Sequence, residues 1–173
     1  DKYNAPKPLE IGIEPLDLNK FKLIKKIGEG SFSCVYKVKQ IDTGEVYAAK
    51  INKNEIHNEN KDSPEGINFL REVTYLSEIS HPFIIKFIGF SPIDFNGCFH
   101  PVIITEYRPN KSLEHLLRID RKNIKIPDFD QIKLMIIFEL AQAMEELHEH
   151  NICHRDLKPE NILINKNFEP VIC

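Results

Sequence analysis

Residues 132–147 constrain the fold of this chain more than any other stretch. Apolar residues recur there at three- and four-residue spacing, which is typical of one face of an α-helix. The stripe comprises Ile132, Met135, Ile136, Leu140, Ala143 and Leu147, and Ile137, Phe138 and Met144 lie beside it. Since apolar side chains cover more than one face, we expect a long helix that is buried on most of its sides.

Five short strands are predicted before this helix and two after it. Hairpin-like joints connect the first three and imply an antiparallel sheet. Strands are expected at 21–27, 34–38, 45–51, 83–90, 102–107, 162–164 and 171–173, and helices at 67–79 and 112–118. Asp128, with Gln131 three residues later, is the expected N-cap of the long helix. Five strands with one inserted helix, followed by helices, predict an α+β fold with two layers of different character.

Composition and charge exclude several classes of protein. With 42% hydrophobic and 28% charged residues the chain is not of the disordered class. A net charge of −3 argues against nucleic acid or a membrane surface as a partner. The longest strictly apolar run, 134–138, is too short to span a membrane. Because the chain begins at Asp1 without Met, we expect a fragment of a longer protein.

The four cysteines form no C-x-x-C pair, and no secretory signal opens the chain. This usage indicates reduced thiols and a cytoplasmic protein. His148, His150, Cys153 and His154 fall within seven residues, which is compatible with a metal site. We favour the alternative that they mark the place where the long helix ends and a polar loop begins.

Residues 28–35, Gly-Glu-Gly-Ser-Phe-Ser-Cys-Val, lie between two predicted strands. A Gly-x-Gly alone is more often just a turn, but Gly28 and Gly30 would let backbone N–H groups approach phosphate oxygens closely. A dinucleotide-binding fingerprint would have its glycines open a helix, whereas here a strand follows. A Walker loop would need Gly-Lys-Ser/Thr, which is missing.

Lys50 closes the third predicted strand, one hairpin away from the glycine loop. Its ammonium group could reach the same phosphates, although a lysine pointing outward is the simpler interpretation of this residue alone. A carboxylate would be needed to hold it in place. Glu72, on the predicted helix 67–79, is the best-placed candidate, and the alternative is a solvated helix glutamate.

The strongest signal is His-Arg-Asp-Leu-Lys-Pro-Glu-Asn at 154–161, directly after the long helix. Asp156 can accept a hydroxyl proton. Lys158 can neutralise charge that develops on a phosphate, and Asn161 can ligate a metal ion through its amide oxygen. This spacing of Asp, Lys and Asn is rare in a surface loop of random composition.

Together these features resemble the signature set of eukaryotic protein kinase domains. The matches are Gly28, Gly30 and Val35, then Lys50, Glu72 and all of 154–161, so that the resemblance covers residues 21–173. It implies a two-lobe fold. Residues 1–20 would be a flanking segment, 21–107 the N-lobe with its five-stranded sheet, one helix and hinge, and 108–173 the first part of the helical C-lobe.

The resemblance also implies the roles of individual residues, with ATP and Mg²⁺ as cofactors and proteins as substrates. The catalytic residues would be Asp156, Lys158 and Asn161, the last also a metal ligand. The ATP-binding residues would be Ile27, Gly28, Glu29, Gly30, Ser31, Phe32, Ser33, Cys34, Val35, Ala48, Lys50, Glu72, Thr105, Glu106, Tyr107, Arg108, Ser112 and Leu163. Thr105 resembles the gatekeeper, and 106–108 the hinge that binds adenine. Ser112 could instead simply cap the helix at 112–118.

Three departures from the family pattern stand out. Ser33 replaces the third glycine of the loop, and the polar stretch 52–66 lengthens the path from Lys50 to Glu72. Residues 167–173 resemble the run that leads into Asp-Phe-Gly, and the sequence stops at Cys173, so we expect truncation just before the metal-binding Asp.

Lys158 resembles Ser/Thr kinases, and 104–113 resembles the hinge of tyrosine kinases and the tyrosine-kinase-like group. The expected function is therefore transfer of the γ-phosphoryl group of MgATP to protein Ser/Thr hydroxyls by the longer parent, a Ser/Thr kinase of the tyrosine-kinase-like group. The 173-residue chain alone is expected to be inactive. The alternative is a catalytically dead kinase that acts only as a nucleotide- or partner-binding module.

Overall fold

The structure is a computed structural model that describes residues 12–56, 62–109, 112–118 and 129–173. The chain divides into two compact units. The first comprises the residues up to Glu78 together with Phe87–Tyr107, and the second comprises Ile79–Lys86 and Arg108–Cys173. Within the described ranges, no helix combines the length and the apolar character needed to cross a membrane.

The first unit is a five-stranded antiparallel sheet with one helix. Its elements are β1 (Phe21–Glu29), β2 (Ser33–Gln40), β3 (Val46–Asn52), α1 (Pro64–Glu78), β4 (Phe87–Ser91) and β5 (Val102–Glu106). The strand order is β1-β2-β3-β5-β4, with every neighbouring pair antiparallel. The predicted α+β class, with five strands and one inserted helix, is confirmed.

The two faces of this sheet carry separate apolar clusters. One contains Leu18, Phe21, Val38, Ala49, Val102 and Ile104. The other joins Phe69 and Val73 of α1 to Phe90 and Ile103. Because successive strand residues point to opposite faces, Lys50 lies on the face opposite to Ala49. Lys50 is paired with Ile103 across β3 and β5, which places it on the face that α1 covers.

Helix α1 begins three residues earlier than the sequence pattern predicted. Pro64 occupies its first turn, where a missing backbone N–H costs no helical hydrogen bond. The Ser63 hydroxyl accepts a hydrogen bond from the Gly66 backbone N–H at 3.1 Å, as an N-capping side chain does. The polar stretch after β3 is therefore shorter than the expected 52–66 loop.

Among the described residues, the second unit contains two α-helices and two strands of three residues each. They are α2 (Leu113–Arg118), α3 (Phe129–Glu149), β6 (Ile162–Ile164) and β7 (Pro170–Ile172), with β6 and β7 antiparallel. A 3-10 turn at Pro159–Asn161 precedes β6. The expected cap of α3, Asp128, lies outside the described residues. The predicted cap of α2 is present, since Ser112 Oγ accepts from the His115 backbone N–H at 3.4 Å.

The strand predicted at 83–90 is wrong in its first half, because β4 begins only at Phe87. The preceding residues belong to the second unit. Ile84 forms a parallel bridge with Ile172, and the Ile85 N–H donates to the Ile172 carbonyl at 2.8 Å. One apolar run therefore serves two cores, and its periodicity could not show where the division falls.

Burial of α3 on most of its sides is also wrong. Ile136, Ala143 and Leu147 are buried, whereas Leu134, Ile137 and Phe138 are 67%, 63% and 65% exposed. The buried side packs in two places. Ala143 and Leu147 contact the cluster of Ile79, Ile84, Ile152 and Ile172, and Ile136 contacts Ile162 and Ile164. These clusters account for one face of the helix only.

Candidate active site

Lys50 and Glu72 form an ion pair inside the first unit. The Lys50 Nζ lies 2.5 Å from Glu72 Oε1, and the two side chains are 44% and 39% exposed. The register of β3 places Lys50 on the α1 face, and α1 carries Glu72 above it. An exposed pair of this kind adds little to stability. Its consequence is geometric, because it holds an ammonium group at a fixed place beside the sheet.

The glycine-rich segment connects β1 to β2. Gly28 is paired with Val35 and Glu29 with Cys34, and the Gly30 N–H donates to the Ser33 carbonyl at 2.8 Å. Neither Gly28 nor Gly30 has a positive φ. A Cβ added at Gly30 would meet only the Ser33 carbonyl, at 3.9 Å. The backbone does not require glycine there, and the open space permits close approach of a ligand.

Several predicted pocket residues share the sheet face of Lys50. Val35 is paired with Lys50, Lys37 with Ala48, and Ala48 with Thr105. Cys34 has the opposite orientation, since its side chain lines a groove of about 320 Å³ with Tyr36, Ile51 and Phe95. Only the backbone of Cys34 could therefore face a nucleotide bound beside Lys50. Phe32, at the loop tip, is 75% exposed.

The end of β5 and the residue that follows it are held by contacts that the sequence did not indicate. The Thr105 hydroxyl donates to the Glu106 carbonyl at 3.3 Å. The Lys37 Nζ lies 4.6 Å from the centre of the Tyr107 ring, within range of a cation–π interaction. Tyr107 therefore has a fixed neighbour on β2, on the face that also carries Ala48 and Lys50.

The polar loop of the second unit brings Asp156, Lys158 and Asn161 together. The Lys158 Nζ lies 2.9 Å from Asp156 Oδ2. The Asn161 Nδ2 donates to the same oxygen and to the Asp156 carbonyl, both at 2.8 Å. Arg155 has a positive φ of 62°, which is uncommon for a residue other than glycine. The loop thus orients one carboxylate by two side-chain donors.

Both donors favour the charged form of that carboxylate. The hydrogen bonds from Lys158 and then Asn161 hold the pKa of Asp156 below its usual value. The same contact raises the pKa of Lys158 above its ordinary value. At neutral pH the loop therefore presents an ionised acceptor beside an ammonium group, which suits proton acceptance next to a developing negative charge.

In the described ranges no three His, Cys, Asp or Glu side chains are grouped closely enough to hold a metal ion. Asn161 keeps its amide nitrogen on Asp156, so its amide oxygen is the atom that could ligate a cation. Mg²⁺ is commonly held by few protein oxygens together with phosphate and water.

The other predicted ATP-binding residues are distributed over both units. Leu163, in β6, forms an isolated bridge with Ser112, and both are half-buried. Ile27 is 41% exposed on β1. Arg108 opens the second unit and is half-buried. The predicted site residues thus fall into two groups, one in each unit.

A family model described as protein kinase domain matches residues 21–173. The chain belongs to the protein kinase family. The sheet and helix of the first unit are those of a kinase N-lobe, and the helices of the second unit are part of a kinase C-lobe. This agrees with the two-lobe fold that the resemblance implied.

Three curated relatives that are named as kinases come from three different organisms. The Aurora kinase of Saccharomyces cerevisiae is 35% identical over 153 residues, which are 88% of this chain and 38% of that protein. The probable serine/threonine-protein kinase kinY of Dictyostelium discoideum is 30% identical, over 95% of this chain and 28% of its own. The rust resistance kinase Lr10 of Triticum aestivum is 31% identical, over 98% and 26%. The chain therefore spans well under half the length of these relatives.

Sequence reasoning missed two lysines near the kinase glycine-rich loop. Lys26 and Lys53 each bind the Glu29 carboxylate, with Nζ to oxygen distances of 2.5 and 2.7 Å. Lys53 stands in the polar stretch after β3, where a lysine resembles any solvated charge. Only the hairpin geometry, which brings the end of β3 beside the loop, could have revealed it.

Proposed function

We propose that this chain carries the nucleotide site and the phosphoryl-transfer loop of a Ser/Thr protein kinase. The observation that carries the proposal is the arrangement of Asp156, Lys158 and Asn161 on one loop, with the carboxylate held by both partners. The match to the protein kinase domain and the relative named as a serine/threonine-protein kinase support it.

In the proposed reaction a Ser or Thr hydroxyl oxygen attacks the γ-phosphorus of ATP. The new P–O bond forms as the bond to the β–γ bridging oxygen breaks, and ADP leaves with that electron pair. Asp156 takes the hydroxyl proton, and Lys158 stabilises the charge on the transferring group. Lys50, oriented by Glu72, would bind the phosphates of ATP together with the glycine-rich loop. The adenine subsite would be lined by Thr105, Glu106 and Tyr107.

Mg²⁺ is the cation we propose for this site, with Asn161 supplying its amide oxygen. When bound, it would neutralise charge on the β- and γ-phosphates. The Cys173 N–H donates to the Asn161 carbonyl at 3.0 Å, so the next residue would lie beside Asn161. We propose that this residue is the Asp of an Asp-Phe-Gly motif, which the parent's sequence would verify.

The finer assignments of the parent are also proposals. The run 104–113 supports membership of the tyrosine-kinase-like group. The wide spacing of the cysteines supports a cytoplasmic protein, and the match to the protein kinase domain supports protein substrates. A rival is a kinase-like module that binds nucleotide without transferring phosphate. One experiment on the parent protein distinguishes an active kinase from such a binding module.

That experiment measures incorporation of labelled phosphate into a generic protein substrate from MgATP, followed by analysis of the phosphorylated residue. Phosphoserine or phosphothreonine, lost in both Lys50→Met and Asp156→Asn and retained in Lys22→Met, would support the proposal. Nucleotide binding without any incorporation would support the binding module, and phosphotyrosine alone would contradict the Ser/Thr assignment.

A further inference from the structure

Lys53, the residue after β3, contacts three positions of the glycine-rich loop. Its Nζ donates to Glu29 Oε1 at 2.7 Å and to the Gly30 carbonyl at 2.8 Å. Its backbone N–H donates to the Phe32 carbonyl at 2.9 Å. One residue therefore ties the end of β1 and the tip of the loop to the end of β3.

Glu29 is also held from its other oxygen. The Lys26 Nζ lies 2.5 Å from Glu29 Oε2, so each carboxylate oxygen has its own lysine. These hydrogen bonds and charges lower the pKa of Glu29 from 4.5 to about 2. The carboxylate is consequently ionised at neutral pH. A carboxylate bound on both oxygens has little freedom to rotate. It therefore also fixes the Lys53 Nζ, which binds the Gly30 carbonyl.

A restraint of this kind would lower the entropic cost of ordering the glycine-rich loop. Glycine backbone has more accessible conformations than any other, so a loop built on Gly28 and Gly30 loses more conformational entropy when it orders around a ligand. A contact that orders the loop beforehand reduces this cost and increases affinity. Neither lysine lies in the set of residues that the kinase motifs assign.

We propose that Lys53 is a positioning residue: through Glu29 and the Gly30 carbonyl it holds the glycine-rich loop in the conformation that receives the phosphates of ATP. This rests on the proposed function, since phosphate binding by the loop is part of it. Lys53 does not touch the nucleotide. Because single exposed ion pairs contribute little, we expect a moderate effect, about a 3- to 5-fold loss of ATP affinity.

The first measurement is amide hydrogen exchange on the 173-residue chain without nucleotide. The informative amides are those of Gly30 and Lys53, the N–H donors of the loop contacts. We expect faster exchange of both in Lys53→Met, and wild-type rates in Lys53→Arg, which keeps the charge. Lys22→Met is the matched control, since it removes an exposed β1 lysine away from the loop. Equal rates in Lys53→Met and Lys22→Met would overturn the proposal.

The second measurement is the Kd of MgATP and of adenosine for the same variants. Adenosine has no phosphates. Loss of a phosphate-binding loop conformation should therefore weaken the binding of ATP and leave the Kd of adenosine within about twofold of the wild-type value. We expect this split in Lys53→Met, and recovery in Lys53→Arg. An equal loss for both ligands would mean that Lys53 acts on the lobe as a whole and would contradict a positioning role.

The two measurements separate this inference from the proposed function. If the wild-type chain binds no MgATP, the proposed function fails, and the exchange rates still report whether Lys53 orders the loop. If the wild type binds MgATP and Lys53→Met binds it equally well, the nucleotide site stands and the inference about Lys53 fails.

Discussion

The Lys50 Nζ lies 2.5 Å from Glu72 Oε1 although twenty-two positions separate the residues in the chain. Strand β3 turns Lys50 to the face that α1 covers, and α1 presents Glu72 to it. The polar stretch between the two elements does not prevent the pairing. The packing of α1 on the sheet therefore brings the two residues together, although they are distant in the sequence.

Lys50→Met should abolish phosphoryl transfer by the parent kinase while leaving the fold intact. Methionine keeps the long apolar part of the side chain and removes the ammonium group that would bind phosphate. We expect a loss of at least about 10²-fold in kcat/KM, as for other preorganised charge-stabilising groups. Circular dichroism and the melting temperature should match those of the wild type. Near-normal turnover in a folded variant would contradict the assignment.

Asp156→Asn should lower kcat by about 10²- to 10⁴-fold, since the amide cannot accept the hydroxyl proton. Lys22→Met is the control for a charge change outside the site. A variant within a few-fold of the wild type would mean that Asp156 is not the base.

The pH dependence of the parent kinase should report the contact of Asp156 with Lys158. Asp156 acts as a base only when ionised, and the hydrogen bonds from Lys158 and Asn161 hold its pKa below the ordinary value of 3.8. The acid limb that Asp156 contributes to kcat/KM should therefore lie below the usual range of an aspartate. Lys158→Met removes the largest cause of the lowering, so this limb should move to higher pH. An unmoved limb would show that another group controls it.

The Glu29 carboxylate should titrate with a pKa near 2 in the folded chain, against 4.5 in the absence of its lysines. A lowered folded-state pKa means that the contribution of Glu29 to folding is complete above about pH 4.5. It is lost as pH falls through about 2. Carbon-13 NMR of the side-chain carboxyl would give the midpoint. In the Lys26→Met, Lys53→Met double variant we expect it near the ordinary value, and an unchanged midpoint would refute the two-lysine contact.

Ile136 and Ile137 of α3 provide a matched pair for core packing. Ile136 is 3% exposed, and Ile137 is 63% exposed. Ile136→Ala should lower the free energy of unfolding by about 2–5 kcal/mol, the range for a large-to-small change in a core. Ile137→Ala should change it by less than about 0.5 kcal/mol. Urea denaturation measures both, and equal losses would contradict the placement of α3.

The exposed face of α3 should make the isolated 173-residue chain prone to aggregation. Leu134, Ile137 and Phe138 place adjacent apolar surface in water. Changing Ile137 and Phe138 together to Lys should therefore raise the concentration at which the chain remains monomeric in sedimentation experiments. A wild-type chain that stays monomeric to the same concentration would show that this face does not drive association.

Much of the fold could be read from local patterns. Strand-like patterns and turn residues predicted β1, β2, β3 and β5 to within a few residues, because each strand places at least one side chain in a buried apolar cluster. Helical spacing predicted α1 and α3 for the same reason. The kinase family was indicated by the eight-residue motif at 154–161 and by the positions of Lys50 and Glu72. The roles assigned to these residues stay predictions.

The sequence by itself determined the elements and the family, because periodicity and motif spacing are local properties of the chain. Tertiary structure alone decided which partners the elements meet. It divided one apolar run between two cores at Phe87, left Ile137 in solvent one position from buried Ile136, and brought Lys53 to the Glu29 carboxylate. Each outcome depends on which distant segment packs against the residue, and no local pattern contains that information.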